Sequence, residues 1–168
     1  MPEKYGATAG LFREEVKPSD REAVGRLVRS TGFFSAEEAE IAEELVEERL
    51  AKGDASGYFF LFAEEGARLV GYACFGPIPG SVHSFDLYWI VVDPGAQGQG
   101  VGRRLMAAAE RIMAARGARL IYADTSSRAQ YEPTRSFYLA CGYRQEAFLT
   151  DFYAPADGKV IFVKPLPT

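Results

Sequence analysis

The sequence predicts one α/β domain over residues 1–168. Three observations predict it. Strand-like and helix-like apolar patterns alternate from end to end, with no repeat, low-complexity stretch or long linker between them. The strongly apolar segment Ser84 to Val92 has the composition of a strand at the centre of a sheet. A glycine-rich turn follows it directly and opens a helix. With 168 residues, 48% of them hydrophobic and 25% charged, the chain has the length and balance for one sizeable core.

In chain order, residues 11–16 read as a first strand. Residues 19–29 read as a helix, with Ser19 and Glu22 at capping-box spacing and Val24, Leu27 and Val28 as its apolar stripe. A second helix over 35–52 repeats the pattern with Ser35 and Glu38. Ile41, Leu45, Val46 and Leu50 are its expected buried face and Gly53 its stop. Its other face carries Glu37, Glu38, Glu40, Glu43, Glu44, Glu47 and Glu48, either as solvated surface or as an acidic rim for a cationic acceptor. Residues 58–63 and 69–75 read as a strand pair turning around Gly66, and Pro77, Pro79 and Gly80 mark a loop. After the central strand comes a helix over 99–116, with Val101, Leu105, Ala108, Ala109 and Ile112 on one face. Residues 120–123 read as a short strand, and 133–141 as a short helix with Pro133 near its start and Gly142 past its end. Residues 148–153 and 160–163 close the chain as a hairpin across Asp157-Gly158.

Composition removes several function classes. The formal net charge is −4 and the basic residues form no cluster beyond Arg103-Arg104, so nucleic acid is not an expected ligand. No apolar run approaches the ~20 residues of a membrane span, and no basic start leads into an apolar core at the N-terminus, so the expected location is the cytoplasm. Cys74 and Cys141, the only cysteines, are expected to be buried free thiols. His83 is the only histidine and has no partners at ligand spacing, so no metal site is expected.

The most informative segment runs from Val91 to Leu105. A helix start presents free backbone N–H groups and a partial positive charge, a ready site for phosphate. Gly98, Gly100 and Gly102 let a ligand approach the backbone with no Cβ in the way. The Gly-Lys-Ser/Thr ending of a P-loop is absent. The dinucleotide fingerprint fails too, because its third glycine would fall at Arg103.

Gln97-Gly98-Gln99-Gly100-Val101-Gly102 resembles the Gln/Arg-x-x-Gly-x-Gly/Ala signature of the GCN5-related N-acetyltransferases (GNAT). Ser136-Phe137-Tyr138-Leu139-Ala140-Cys141-Gly142-Tyr143 is similar to that family's later motif, an aromatic-tyrosine pair followed by glycine-aromatic. The resemblance covers about residues 11–165. It implies a mixed, mostly antiparallel sheet of six to seven strands, flanked by about four helices, with the fourth and fifth strands splayed. It implies acetyl-CoA as cosubstrate, its pyrophosphate held by Gln97, Gly98, Gln99, Gly100, Val101, Gly102 and Arg103. The pantetheine arm would pair with the backbone of Ile90, Val91 and Val92, where one N–H would also polarise the thioester carbonyl. The chain departs from the family at Tyr131, where many members carry an asparagine that contacts the pantetheine arm.

The family's reaction is direct attack of an amine on the thioester, so no enzyme nucleophile is needed. Asp86 stands where some members carry a catalytic glutamate, and strand alternation puts it on one face with Tyr88, Ile90 and Val92. A carboxylate at the edge of so apolar a strand is expected to gain basicity, which makes Asp86 the candidate base; glutamates of the second helix and Tyr88 are its rivals. Tyr138 matches the motif tyrosine that protonates or stabilises the departing thiolate. The second helix and last hairpin flank the acceptor in this family, which would place Phe33, Phe34, Phe148, Phe152 and Tyr153 near it. That aromatic set with an acidic rim favours a small amine or amino acid over a protein lysine or N-terminus; the other alternative, a non-catalytic acetyl-CoA-binding module, would need neither Asp86 nor Tyr138. Family members are often homodimers, and nothing in the pattern fixes the oligomeric state.

Overall fold

The computed structural model describes residues 12–168; Leu11, the expected start of the first strand, lies outside the described residues. The elements are β1 (Phe12–Arg13), α1 (Asp20–Ser30), α2 (Ala36–Lys52), β2 (Phe59–Glu65), β3 (Arg68–Pro77), β4 (Ser84–Val92), α3 (Val101–Ala115), β5 (Leu120–Ser126), α4 (Glu132–Ala140), β6 (Arg144–Ala154) and β7 (Asp157–Pro165). The strands form one sheet in the order β1-β2-β3-β4-β5-β7-β6. β4 and β5 run parallel, while β1–β2, β2–β3, β5–β7 and β6–β7 are antiparallel. The β4–β5 ladder covers only Ser84↔Leu120 to Leu87↔Ala123, although β4 runs on to Val92 and β5 to Ser126. This is the mixed, splayed sheet that the motifs imply.

The chain divides into two compact units, and β4 and α3 contribute to both. One unit holds the chain up to Phe75 together with Trp89–Ala109. Its core joins Val24, Leu27 and Val28 of α1, Ala39, Ala42 and Val46 of α2, and Phe60, Phe62, Tyr72, Cys74 and Val91 of the strands. Trp89 packs against this core and lies 5.1 Å from the Phe34 ring. The buried face of α2 differs from the expected one: Ile41 and Leu50 are 48% and 40% exposed. Ala39, Ala42 and Val46 satisfy the same helical period one step round the axis, so α2 turns its small residues inward.

The two helix starts also differ. Ser35 and Glu38 form the expected capping box, with 3.1 Å from the Glu38 N–H to the Ser35 hydroxyl and 2.7 Å from the Ser35 N–H to the Glu38 carboxylate. Ser19 makes no cap bond. Asp20, the first residue of α1, instead accepts the N–H of Lys17 in the preceding turn at 2.7 Å and pairs with the Arg13 guanidinium at 2.8 and 2.9 Å. Arg13 also bonds Glu64 at 3.0 Å, which ties β1, α1 and β2 together. Asp20 is almost fully buried, and a carboxylate in that position requires such a cation.

The other unit holds Gly76–Tyr88 and Glu110–Thr168. Phe85, Leu87, Met113, Ile121, Ala123, Tyr138, Tyr143, Val160 and Phe162 are buried within it. The closing hairpin does not turn at Asp157-Gly158. Ala154 pairs with Asp157, so the chain reverses through Pro155 and Ala156, the latter at φ 64°. Asp157 is instead buried in β7, where it accepts the Ser126 hydroxyl and meets the Arg128 guanidinium at 3.2 Å. Beside it, Gly158 exchanges backbone and side-chain bonds with Ser127, both at 2.8 Å. A Cβ on Gly158 would lie 2.6 Å from the Phe148 ring and 2.9 Å from the Leu149 carbonyl oxygen. Backbone cannot swing away as a side chain can. Gly158→Ala is therefore expected to destabilise the fold by about 1–3 kcal/mol, read as a lower urea midpoint at unchanged slope.

Candidate active site

The glycine segment lies wholly in the first unit. β4 ends at Val92, and Asp93 caps a 3-10 turn over Pro94–Ala96 by accepting the Gly95 N–H at 2.8 Å. Gly98 and Gly100 follow with φ of 76° and 78°, a conformation that side chains with a Cβ rarely adopt. A Cβ on Gly98 would meet nothing within 4 Å, so the surface over the turn is open. The Gln97 amide donates to the Val92 carbonyl at 3.2 Å and the Gln99 amide to the Gly95 carbonyl at 3.4 Å. Both glutamines therefore brace the turn. Helical bonding begins with the Arg104 N–H to the Gly100 carbonyl at 3.1 Å, so the amides just before it belong to the helix start, where anions are favoured. Arg103 is exposed, and Val101 is buried as the first anchor of α3. This donor set, with open space over Gly98 and the Arg104 guanidinium beside Gly100, fits a pyrophosphate group.

Asp86 lies in the second unit. It pairs in register with Tyr122 of β5, so Asp86, Tyr122 and Asp124 share one face of the sheet. β7 adds Lys159 and Ile161 to that face, and Lys159 Nζ meets the Asp124 carboxylate at 2.9 Å. Lys159 also sits 4.6 Å above the Phe152 ring. Asp86 is half-buried, and its pKa is raised to about 6, first by burial and then by the charge of Asp124, with Lys159 pulling the other way. Burial works against the charge of Lys159, but the hydrogen bond and charge of Asp124 outweigh it and its pKa is raised.

Tyr138 occupies the opposite face of the same unit. α4 begins with Pro133 in its first turn and ends at Cys141, whose carbonyl accepts from Lys164 at 2.8 Å. The Tyr138 ring lies 5.4 Å from Phe162 and 5.8 Å from Tyr143. Phe162 pairs with Ala123, on the face that Leu87 shares, whereas Asp86 points the other way. Burial, and then the charge of Asp124, raises the Tyr138 pKa above the ordinary tyrosine value. It is therefore a proton donor, not a phenolate, at neutral pH.

Other expected residues fall as follows. Cys74 is buried and burial pushes its thiol up, while Cys141 is only partly buried. His83 is exposed, its Nδ1 3.2 Å from the Gly117 carbonyl. Tyr131 lies beneath the Arg128 guanidinium, 5.6 Å from its ring. Phe148, Phe152 and Tyr153 of β6 are about half exposed, as expected for residues lining an open surface. The glutamate face of α2 is largely spent on internal pairs: Glu43 with Arg29 at 2.7 Å, Glu47 with Arg21 at 2.6 Å, Glu48 with Lys52 at 2.9 Å and Glu38 in the cap. Asp124 and Lys159 were not among the residues that the sequence pattern singles out. The strand period was visible there, but not the register that sets Asp124 two residues beyond the partner of Asp86.

Residues 22–143 match the model of the acetyltransferase (GNAT) family. The chain belongs to the GNAT family. Among solved structures, it is similar to a protein of Desulfovibrio desulfuricans assigned to the GNAT acetyltransferases, at 46% identity and TM-score 0.91, over 92% of this chain and 97% of that one. It shares its fold with an aminoglycoside 6'-N-acetyltransferase complexed with coenzyme A, at 20% identity and TM-score 0.76, over 94% and 98% of the two chains. A ribosomal-protein-alanine N-acetyltransferase from Brucella melitensis has the same fold at 20% identity and TM-score 0.71, over 93% and 99%. No curated protein matches the sequence. Among the described residues of this GNAT chain, no helix is long and apolar enough to cross a membrane.

The raised pKa of Asp86 has a consequence for stability. Folding disfavours its charged form, so its contribution is present below the unfolded value of 3.8 and is lost as pH rises through about 6. Asp86→Asn removes that loss. Urea unfolding across this range is expected to show the variant gaining stability relative to the parent as pH rises. Parallel pH profiles for the two proteins would contradict the shift.

Proposed function

We propose that this GNAT enzyme transfers an acetyl group from acetyl-CoA to the amine of a small molecule or amino acid, with Asp86 as base and Tyr138 as acid. The observation that carries the reading is Asp86, a half-buried carboxylate on an otherwise apolar strand with a pKa of about 6. Acetyl-CoA supplies the thioester; the amine nitrogen bonds to its carbonyl carbon and coenzyme A leaves as the thiol. The turn from Gln97 to Arg103 would hold the pyrophosphate through backbone amides, and the backbone of Ile90, Val91 and Val92 would receive the pantetheine arm.

An amine must lose a proton to attack. A carboxylate near pKa 6 is ionised at neutral pH yet basic enough to take one, which is the balance general-base catalysis needs. The same proton count requires a donor for the leaving sulfur. Tyr138 keeps its proton because burial holds it there, and among the described residues its hydroxyl has no hydrogen-bond partner. The exposed rings of Phe148 and Tyr153 favour an acceptor with apolar bulk, while Asp124 is already paired with Lys159. With four of its glutamates committed to internal bonds, α2 contributes less to a preference for a cationic acceptor than its sequence suggests.

Two measurements test this reading. Saturating acetyl-CoA, at about 100 times its dissociation constant, should add roughly 2.7 kcal/mol of apparent stability; no thermal shift would remove the cofactor assignment. In thiol-release assays over an amine panel, Tyr138→Phe and Asp86→Ala should each lower kcat by about 100-fold or more, while both variants still bind coenzyme A. The acidic limb of the parent's rate profile should fall near pH 6. Turnover on peptides with none on free amines would replace the small acceptor by a protein. Coenzyme A binding with no turnover on any amine would leave a binding module.

A further inference from the structure

We propose that Arg68 is a positioning residue for the cofactor turn: through its ion pair with Asp93 it holds the turn in the shape that receives the phosphates of coenzyme A. The inference rests on reading Gln97 to Arg103 as the coenzyme A site.

Asp93 is the hinge point between β4 and the turn, and three contacts fix it. Its N–H donates to the Val70 carbonyl at 2.8 Å. One carboxylate oxygen accepts the Gly95 N–H at 2.8 Å, and the other meets Arg68 Nη2 at 2.9 Å. A single carboxylate thus links the start of β3 to the first amide of the turn. The bond to Gly95 shapes the Pro94–Ala96 turn, from which Gln97 reaches back to the Val92 carbonyl at 3.2 Å. Gly95 has no slack: a Cβ there would lie 3.1 Å from the capping oxygen. Arg68 and Asp93 both line a cavity of about 580 Å³ beside α1, so without the arginine the second carboxylate oxygen faces open space. Rotation of the carboxylate toward water would then release Gly95, and with it the register of the amides that follow.

Simple electrostatics and the clamp predict opposite signs for one variant. A negative charge beside the turn repels phosphate, so Asp93→Asn should tighten coenzyme A binding if charge alone matters. If Asp93 works by holding the turn against Arg68, the same variant should weaken it. Arg68 is 63% exposed, so its replacement should leave the fold intact.

The test is calorimetric titration of the full chain with coenzyme A, alongside acetyl-CoA kinetics. Arg68→Ala and Asp93→Asn are each expected to raise Kd and KM by roughly three- to ten-fold, with kcat and melting temperature little changed. The double variant should be no worse than either single one, because both break the same clamp. Arg68→Lys should recover part of the loss. Unchanged or tighter binding by Asp93→Asn, or losses that add in the double variant, would overturn the inference while leaving the cofactor site standing. A parent protein that binds no coenzyme A would remove the cofactor reading and this inference together.

Discussion

The parallel ladder between β4 and β5 stops after Leu87 and Ala123, and the arrangement of the functional groups follows from that stop. Backbone N–H and C=O groups within a sheet are normally answered by the neighbouring strand. From Trp89 to Val92, β4 has no β5 residue opposite it, yet it stays extended and delivers the chain into the glycine turn. Apart from the Val92 carbonyl, which accepts from Gln97, this is an extended edge that an amide-bearing ligand arm could join as a strand would. The same strand, three residues before Trp89 and still inside the ladder, carries Asp86. One strand therefore offers a backbone edge and a carboxylate in a fixed order, and its two-residue period sets the face on which the carboxylate appears.

The chain treats its carboxylates in two ways. Asp20 and Asp157, buried at 3% and 8% exposure, each have a guanidinium and further hydrogen bonds. These are the conditions under which a buried charge is tolerated, and removing either cation would leave an uncompensated charge inside. Asp86 has no such partner. Asp124 is held by Lys159, but Asp86 feels that pair only as a field, and its pKa stays raised. Among the described residues Asp86 is thus the exception in a fold that pairs its buried carboxylates, and this is what makes it the proposed base.

What was legible in the sequence is what local chemistry determines. The strand from Ser84 to Val92, the Ser35–Glu38 capping box, the positive-φ glycines of the turn and the α4 tyrosine all follow from a few adjacent residues. What escaped was decided at a distance. Ser19 has helical backbone angles and makes no cap bond, while Asp20, one residue later, is held by Arg13 from β1. The hairpin reversed two residues early because Asp157 was claimed by Ser126 and Arg128 on another part of the chain. β6 looked short because nearly all of it is exposed, which leaves little apolar alternation to read. The Asp124–Lys159 pair needed the β5–β7 register, which no single segment encodes.

Asp86 and Tyr138 are both raised by burial, and in the proposed reaction the same cause bears on them in opposite ways. A carboxylate ordinarily holds its proton too weakly to be a useful base near neutrality, and desolvation moves it up toward the working range. A phenol already keeps its proton at neutral pH, and desolvation moves it further away from ionising. Burial thus strengthens the aspartate as a proton acceptor and keeps the tyrosine neutral, able to donate a hydrogen bond to the leaving sulfur. The assignment of base and acid then depends less on which residue types are present than on how far each starts from neutrality, and Asp124 reinforces both shifts from one position on β5.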